Sequence, residues 1–156
     1  MSRYAADTSV SADASRGEIE RTLRRYGADG FAYGWEGTRA SVMFVMNGRR
    51  IRFVLQMPDR HSREFTHTPA RGTPRSSSQA EAAWEQATRQ RWRALALVIK
   101  AKLEAVDSGI TEFEDEFLAH ILLPNGTTVG EHVRPGIEQA YESGTMPPLL
   151  AIGMGS

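Results

Sequence analysis

RASVMFVMNGRRIRFVLQ, residues 39–56, carries two runs of β-forming residues on either side of Asn47-Gly48. Asn and Gly both accept positive φ, which a two-residue type I′ turn requires, and the twist of that turn matches the strands it joins. The turn fixes the register: Met46 opposes Arg49, Val45 opposes Arg50, Phe44 opposes Ile51, Met43 opposes Arg52, Val42 opposes Phe53 and Ala40 opposes Leu55. Opposed residues share a face and successive residues alternate. One face therefore collects Ala40, Val42, Phe44, Ile51, Phe53 and Leu55, and the other Arg39, Ser41, Met43, Val45, Arg50 and Arg52. The first is a core face; the second is a basic surface. Upstream, Phe31–Trp35 reads as a third strand, turned at Glu36-Gly37, with Phe31, Tyr33 and Trp35 on the core face. The result is a three-stranded antiparallel meander.

Helical periodicity brackets the meander. Ser15 with Glu18 forms a capping box that opens a helix through Ile19, Leu23 and Tyr26, which Gly27 ends in the left-handed conformation. A long amphipathic helix starts at Ser78, with Glu81 as its capping partner, and stops at Asp107-Ser108-Gly109. Its core stripe is Trp84, Trp92, Leu95, Ile99, Leu103 and Val106. Two shorter helices follow, opened by Thr111 with Glu114 and by Thr128 with Glu131. Between them Pro124-Asn125-Gly126 turns the chain, and Gly144 ends the second. Residues 146–150, MPPLL, read as an extended arm. The fold class expected is α+β: N-terminal helix, three-stranded antiparallel meander, long helix, two shorter C-terminal helices.

At 156 residues the chain suits one domain, which at this size buries roughly two thirds of its unfolded surface. The expected division is a flexible N-terminus over 1–14, a single α+β domain over 15–150 and a tail over 151–156. Within the domain, 58–78 loses all periodicity and reads as a flexible basic loop. There is no cysteine, which removes disulfides, thiolate metal sites and cysteine nucleophiles together and fits a reducing compartment. No apolar run approaches the ~18 residues of a membrane span, and no signal peptide is visible in the first residues. A cytoplasmic protein is expected.

The net charge of zero hides an asymmetry. Residues 16–100 hold sixteen Lys and Arg against eight Asp and Glu, whereas residues 101–156 hold two against nine. Such a chain suits polyanion binding or head-to-tail self-association, unless the charges interleave on folding. The candidate nucleic-acid-binding residues are Arg39, Arg50 and Arg52 on the sheet, Arg60, Arg63, Arg71 and Arg75 in the loop, and Arg89, Arg93 and Lys100 along one border of the long helix. Cations near phosphates release counterions, so many weak contacts accumulate into salt-sensitive affinity. With Tyr33 and Trp35 assigned to the core, stacking aromatics are missing from the expected basic face.

Catalytic patterns are sparse. Glu112, Glu114, Asp115 and Glu116, near Asp107, offer carboxylates to a divalent cation for phosphodiester cleavage, but acidic residues in a first helical turn equally complement the helix dipole. No Asp-x-Lys or Glu-x-Lys occurs. His120, four residues after Glu116, and His132 offer a second metal set, although no H-E-x-x-H is present. Neither G-x-S-x-G nor G-x-G-x-x-G occurs, so no nucleophile elbow or nucleotide cofactor is indicated. Neither catalytic residues, nor a metal, nor a cofactor are assigned, and enzymatic activity is left open with a metal-dependent nuclease as the minor candidate.

WEQATRQRWRALALVIKAKLEAV at 84–106, FLAHILLPNGTTVGE at 117–131 and YGADGFAYGW at 26–35 resemble a family of small uncharacterised proteins of tailed phages and prophages. That family has no assigned activity, so the resemblance implies a setting in a bacterial host and no site residues. In topology alone, helix, meander and long helix also look like the cores of double-stranded-RNA-binding domains and single-strand annealing proteins, whose loop motifs find no match here. The function expected is a non-catalytic, nucleic-acid-binding accessory protein that contacts the phosphate backbone of DNA or RNA through its Arg-rich sheet face and loop. The alternative is a protein–protein effector that binds or inhibits a host or phage protein, with the acidic C-terminal section or the basic section as its docking surface and self-association through the acidic section also open.

Overall fold

A computed structural model describes the backbone of residues 3–149 and the side-chain surroundings of residues 12–149. Leu150 of the expected arm, the expected tail over 151–156 and the side chains of residues 1–11 lie outside the described residues. The order of elements is α1 (Arg3–Arg25), β1 (Gly30–Glu36), β2 (Arg39–Met46), β3 (Arg49–Gln56), α2 (Arg63–Thr66), α3 (Ser77–Asp107), α4 (Phe113–Glu116), a 3-10 turn at Leu118–His120 and α5 (Val129–Ser143). The class is α+β, and among the described residues no helix is long and apolar enough to cross a membrane.

The strands form one antiparallel sheet in the order β1-β2-β3. Asn47 and Gly48 take φ of 52° and 71°, and every pairing of β2 with β3 expected from that turn is present. Ala40, Val42, Phe44, Ile51 and Phe53 are buried, and Leu55 is half-buried against them. The β1–β2 turn lies at Gly37-Thr38 rather than Glu36-Gly37, because Gly37 supplies the positive φ of 59° in the first turn position. Moving a turn by one residue slides the partners by two, so each β1 side chain keeps its face. Phe31, Tyr33 and Trp35 accordingly oppose Phe44, Val42 and Ala40.

Helices α1 and α3 lie against each other and on the core face of the sheet. Trp92, Leu95, Ala96, Ile99 and Leu103 of α3 are buried with Ile19 and Leu23 of α1. Helix α1 begins about three turns before the expected Ser15, which is therefore helix interior and not a cap. Alanine-rich sequence favours helix, and Ala12 extends the buried stripe of Ile19 and Leu23 back along the same face. Helix α3 is capped by Ser76, not Ser78: Ser76 accepts from the Gln79 backbone N–H at 3.2 Å, and the Gln79 side chain accepts from the Ser76 backbone N–H at 3.1 Å. Ser78 has Glu81 in the same spacing, but the Ser76 box takes two more residues into the helix and Glu81 pairs with Arg60 instead.

The run 58–78, expected to be without structure, is built against the body. Ser62 caps the single turn of α2, Phe65 is buried, and His67 bridges Pro74. Trp84 anchors the near end by donating from its indole N–H to the Pro58 carbonyl at 2.8 Å.

Thr111 provides no cap to α4, which starts after Glu112 without a side-chain cap bond. What holds this region is Phe117, fully buried, whose ring meets Phe44 and Phe53 edge-on at 5.8 and 6.2 Å. Beyond the 3-10 turn the chain reaches the outer edge of β3: Ile121 bridges Ile51, and the Leu122 N–H donates to the Arg50 carbonyl at 2.8 Å. Thr128 then caps α5, and Gly144 ends it with φ of 71°.

Trp92 joins α3 to the sheet, so Trp92→Ala removes a buried ring that cannot be replaced by local collapse. We expect it to cost about 3–5 kcal/mol, read as a lowered midpoint in urea unfolding; a shift below measurement error would show that α3 does not form part of this core.

Candidate nucleic-acid interface

The ten candidate basic residues divide into three groups that the fold does not gather on one surface, although Arg39 and Arg60, from different groups, line one pocket. On the outer face of the sheet, Arg39 opposes Gln56 at one end and Arg50 opposes Val45 near the other. Six residues of strand separate these ends, roughly 20 Å at the usual rise. Arg52, between them, is half-buried, and one of its terminal nitrogens donates to both carboxylate oxygens of Glu131 at 3.0 and 3.2 Å. The N-terminal turn of α5 therefore engages this arginine, and the outer face is not an open row of guanidiniums.

In the segment between β3 and α3, Arg60 pairs with Glu81 at 3.3 Å and lies over the Trp84 ring at 4.2 Å. Arg75 donates to the Phe65 carbonyl at 3.1 Å, which fastens α2 to the strand-like return at Pro74. Arg63 and Arg71 are exposed. On the long helix, Arg89 and Arg93 join Arg21 of α1 along a groove of about 620 Å³ between the two helices, with Glu18 on its rim. Lys100, half-buried, lies two turns beyond Arg93.

A different place gathers aromatic and basic side chains together. At the end of the sheet near the β1–β2 turn, α1, β1 and the start of α3 surround a pocket of about 670 Å³. Tyr33, Trp35, Trp84 and Trp92 contribute to its walls together with Arg16 and Arg60, and Arg39, of outer-face register, lines it at the turn. Trp35 has the core-facing register but is 72 % exposed, because the layer above it opens into this pocket. Tyr33 packs edge-on to Trp92 with ring centres 5.5 Å apart. Arg16 lies over the Tyr33 ring at 4.3 Å and donates to its hydroxyl at 3.2 Å. Flat cations over rings are favourable, and the same surfaces suit a flat aromatic ligand.

Glu85 belongs to the same wall and is 1 % exposed. One of its carboxyl oxygens is buried with no hydrogen-bond partner among the described residues. A buried polar atom left unsatisfied typically costs ~1–3 kcal/mol, more for a charged group. Sequence reading passed over Glu85, although a signal was present. Glu81, Glu85, Thr88 and Trp92 recur at helical spacing and continue the stripe of Ala96, Ile99 and Leu103 toward the N-terminus. A glutamate thus occupies a core position in a helix otherwise read as apolar there.

Of the acidic and histidine candidates, Glu114, Glu116 and His120 are engaged otherwise, Glu114 with Arg49 at 3.1 Å. Glu116 pairs with Lys102 at 3.1 Å, and His120 stacks on Phe53 with ring centres 4.0 Å apart. Among the described residues no three His, Asp or Glu side chains are grouped to hold a metal ion. No protein-family model, curated protein or solved structure matches the chain.

Three of these groups hold protons less readily than their free counterparts. The hydrogen bond from Lys102 lowers the Glu116 carboxyl. Burial raises that of Glu131, but the Arg52 guanidinium outweighs burial and leaves it lowered. His120 is lowered from the ordinary imidazole value of 6.5, first by burial and then by the Lys102 charge. A group with a lowered folded pKa gives stability that is fully present above its unfolded value and is lost as pH falls toward its folded one. Stability is therefore expected to decline first below pH 6.5 through His120, then again in the carboxylate range. His120→Phe, which keeps the stack, should abolish the first decline in thermal melts across that range; a variant profile identical to the parent would assign that decline to another group.

Proposed function

We propose that this protein binds nucleic acid, single-stranded by preference, and performs no chemistry on it, as an accessory factor of phage or prophage origin in the host cytoplasm. The observation that carries the reading is the sheet-end pocket, where an exposed Trp35 stands with Tyr33 and Trp84 beside Arg39 and Arg60. Unpaired bases stack on aromatic side chains whatever their sequence, while arginines follow the phosphates. One exposed apolar side chain is ordinary, but Trp35 and Tyr33 are exposed side by side in one concave wall, and contiguous patches of that kind mark binding surfaces. The α1–α3 groove, with Arg21, Arg89 and Arg93, gives the backbone a second basic surface. The resemblance to phage and prophage proteins supplies the setting.

The binding centre thereby moves from the sheet face to the sheet end. Arg52 and Arg75 serve internal contacts, whereas Arg39 and Arg60 border the aromatics. The effector alternative draws on one observation: Tyr141 and Met146, next to Glu142, are 88 % and 83 % exposed at the C-terminal end of α5.

Fluorescence anisotropy with labelled single- and double-stranded oligonucleotides, at about 50 and 200 mM salt, tests the reading. Binding should weaken steeply with salt, and Trp35→Ala should cost about 1–3 kcal/mol of single-strand affinity without lowering the unfolding midpoint. Failure of every oligonucleotide to bind at the lower salt would overturn the reading in favour of the effector.

A further inference from the structure

Building on that reading, we infer that the sheet-end pocket recognises a guanine base of a single strand, with the Glu85 carboxylate accepting hydrogen bonds from its Watson–Crick edge. The wall supplies three kinds of surface in one place: aromatic rings, guanidiniums and one buried carboxyl group with an unpartnered oxygen. A ligand that satisfies all three is flat, carries a negative charge nearby and presents N–H donors at its edge.

Among the bases, donor geometry selects guanine. A carboxylate only accepts, and its two oxygens match two adjacent donors. Guanine offers N1–H and the N2 amino group side by side. Adenine and cytosine offer one amino group next to a ring nitrogen acceptor, which repels the second carboxylate oxygen. Uracil and thymine offer one N–H between two carbonyl acceptors. Pairing with guanine alone gives both Glu85 oxygens a donor and repels neither.

The unbound protein already holds stand-ins for such a ligand. The Arg60 guanidinium, half-exposed, lies over Trp84 at 4.2 Å, where a base would stack. It swings away readily, because its partner Glu81 lies on the rim at the first turns of α3 and water reaches both side chains. Once displaced it stands beside the entering nucleotide as a phosphate contact. Glu85 has less freedom, being 1 % exposed on a helix that Trp92 and Ile99 hold in the core, and a base reaches it as the side chains that cover it shift. A movable cation and a buried carboxyl group line the same pocket, so a base that replaces the cation on the Trp84 ring can be tested for donors by the carboxyl group.

The test compares oligothymidine with the same strand carrying one central guanine, adenine, cytosine or hypoxanthine, and adds guanosine monophosphate alone as a free-nucleotide arm. Guanine should tighten binding by about tenfold to a hundredfold over the other natural bases, the usual range for a bidentate pair. Hypoxanthine, which lacks the N2 amino group, should lose most of that gain in the unmodified protein. Glu85→Gln should erase the guanine preference and leave oligothymidine binding in place. If the monophosphate binds as tightly as the guanine strand, the base pocket stands and the ligand is a nucleotide instead of a strand. Equal, measurable affinity for all strands overturns the guanine assignment and leaves nucleic-acid binding intact; no binding to any of them overturns both. The hypoxanthine comparison needs no variant, so it decides even if Glu85→Gln fails to fold.

Discussion

Two consecutive positive φ angles, at Asn47 and Gly48, constrain more of this structure than any single contact does. A two-residue turn leaves β2 and β3 one pairing, and because side chains alternate with period two, a slip of β3 by one residue would send Ile51 and Phe53 to the solvent face and Arg50 and Arg52 to the core, away from Val42 and Phe44 of β2. Everything else is laid on the faces so defined. Helices α1 and α3 bury their stripes on the apolar face, Phe117 inserts between Phe44 and Phe53, and Glu131 meets Arg52 on the opposite face. A second turn, at Gly37-Thr38, carries the same faces to β1 by pairing Trp35 with Ala40.

That dependence explains which features were legible in the sequence. The hairpin register, the α3 stripe and the glycine stops at Gly27, Gly109 and Gly144 follow from rules that act within a few residues, and the structure has them. Cap positions were less legible, because three serines competed at the start of α3 and alanine carried α1 past Ser15. Alternation states which way Trp35 points, but not how far the layer above it extends, so an exposed indole was read as core. Arg52 and Glu131 lie 79 residues apart, and no local pattern announces such a pairing. Arg75 is similar: its charge suggested a ligand, and its partner is the Phe65 carbonyl at 3.1 Å.

The charge asymmetry resolves partly inside the molecule. Arg49 meets Glu114 and Arg52 meets Glu131, so the C-terminal section neutralises the β3 side of the sheet. Both pairs are at least partly solvated, and exposed ion pairs contribute little to stability. Their larger consequence is positional. At the α1–α3 groove Arg21, Arg89 and Arg93 outnumber Glu18, whereas at the sheet end, where the aromatic side chains come to the surface, Arg16, Arg39 and Arg60 stand with Asp59, Glu81 and Glu85.

Stacking and charge cannot by themselves tell one sequence from another, since every base has a π-face and every nucleotide a phosphate. Discrimination requires a group that distinguishes donors from acceptors and is held still while doing so. Within the sheet-end pocket Glu85 meets both conditions, because its place in the α3 stripe fixes it through the same packing that builds the core. An apolar residue at that position would extend the stripe and stabilise the helix further. Keeping a carboxyl group there costs the free protein stability, which a bound donor offsets. The departure from the apolar pattern is therefore the point where the requirements of folding and of the proposed function separate.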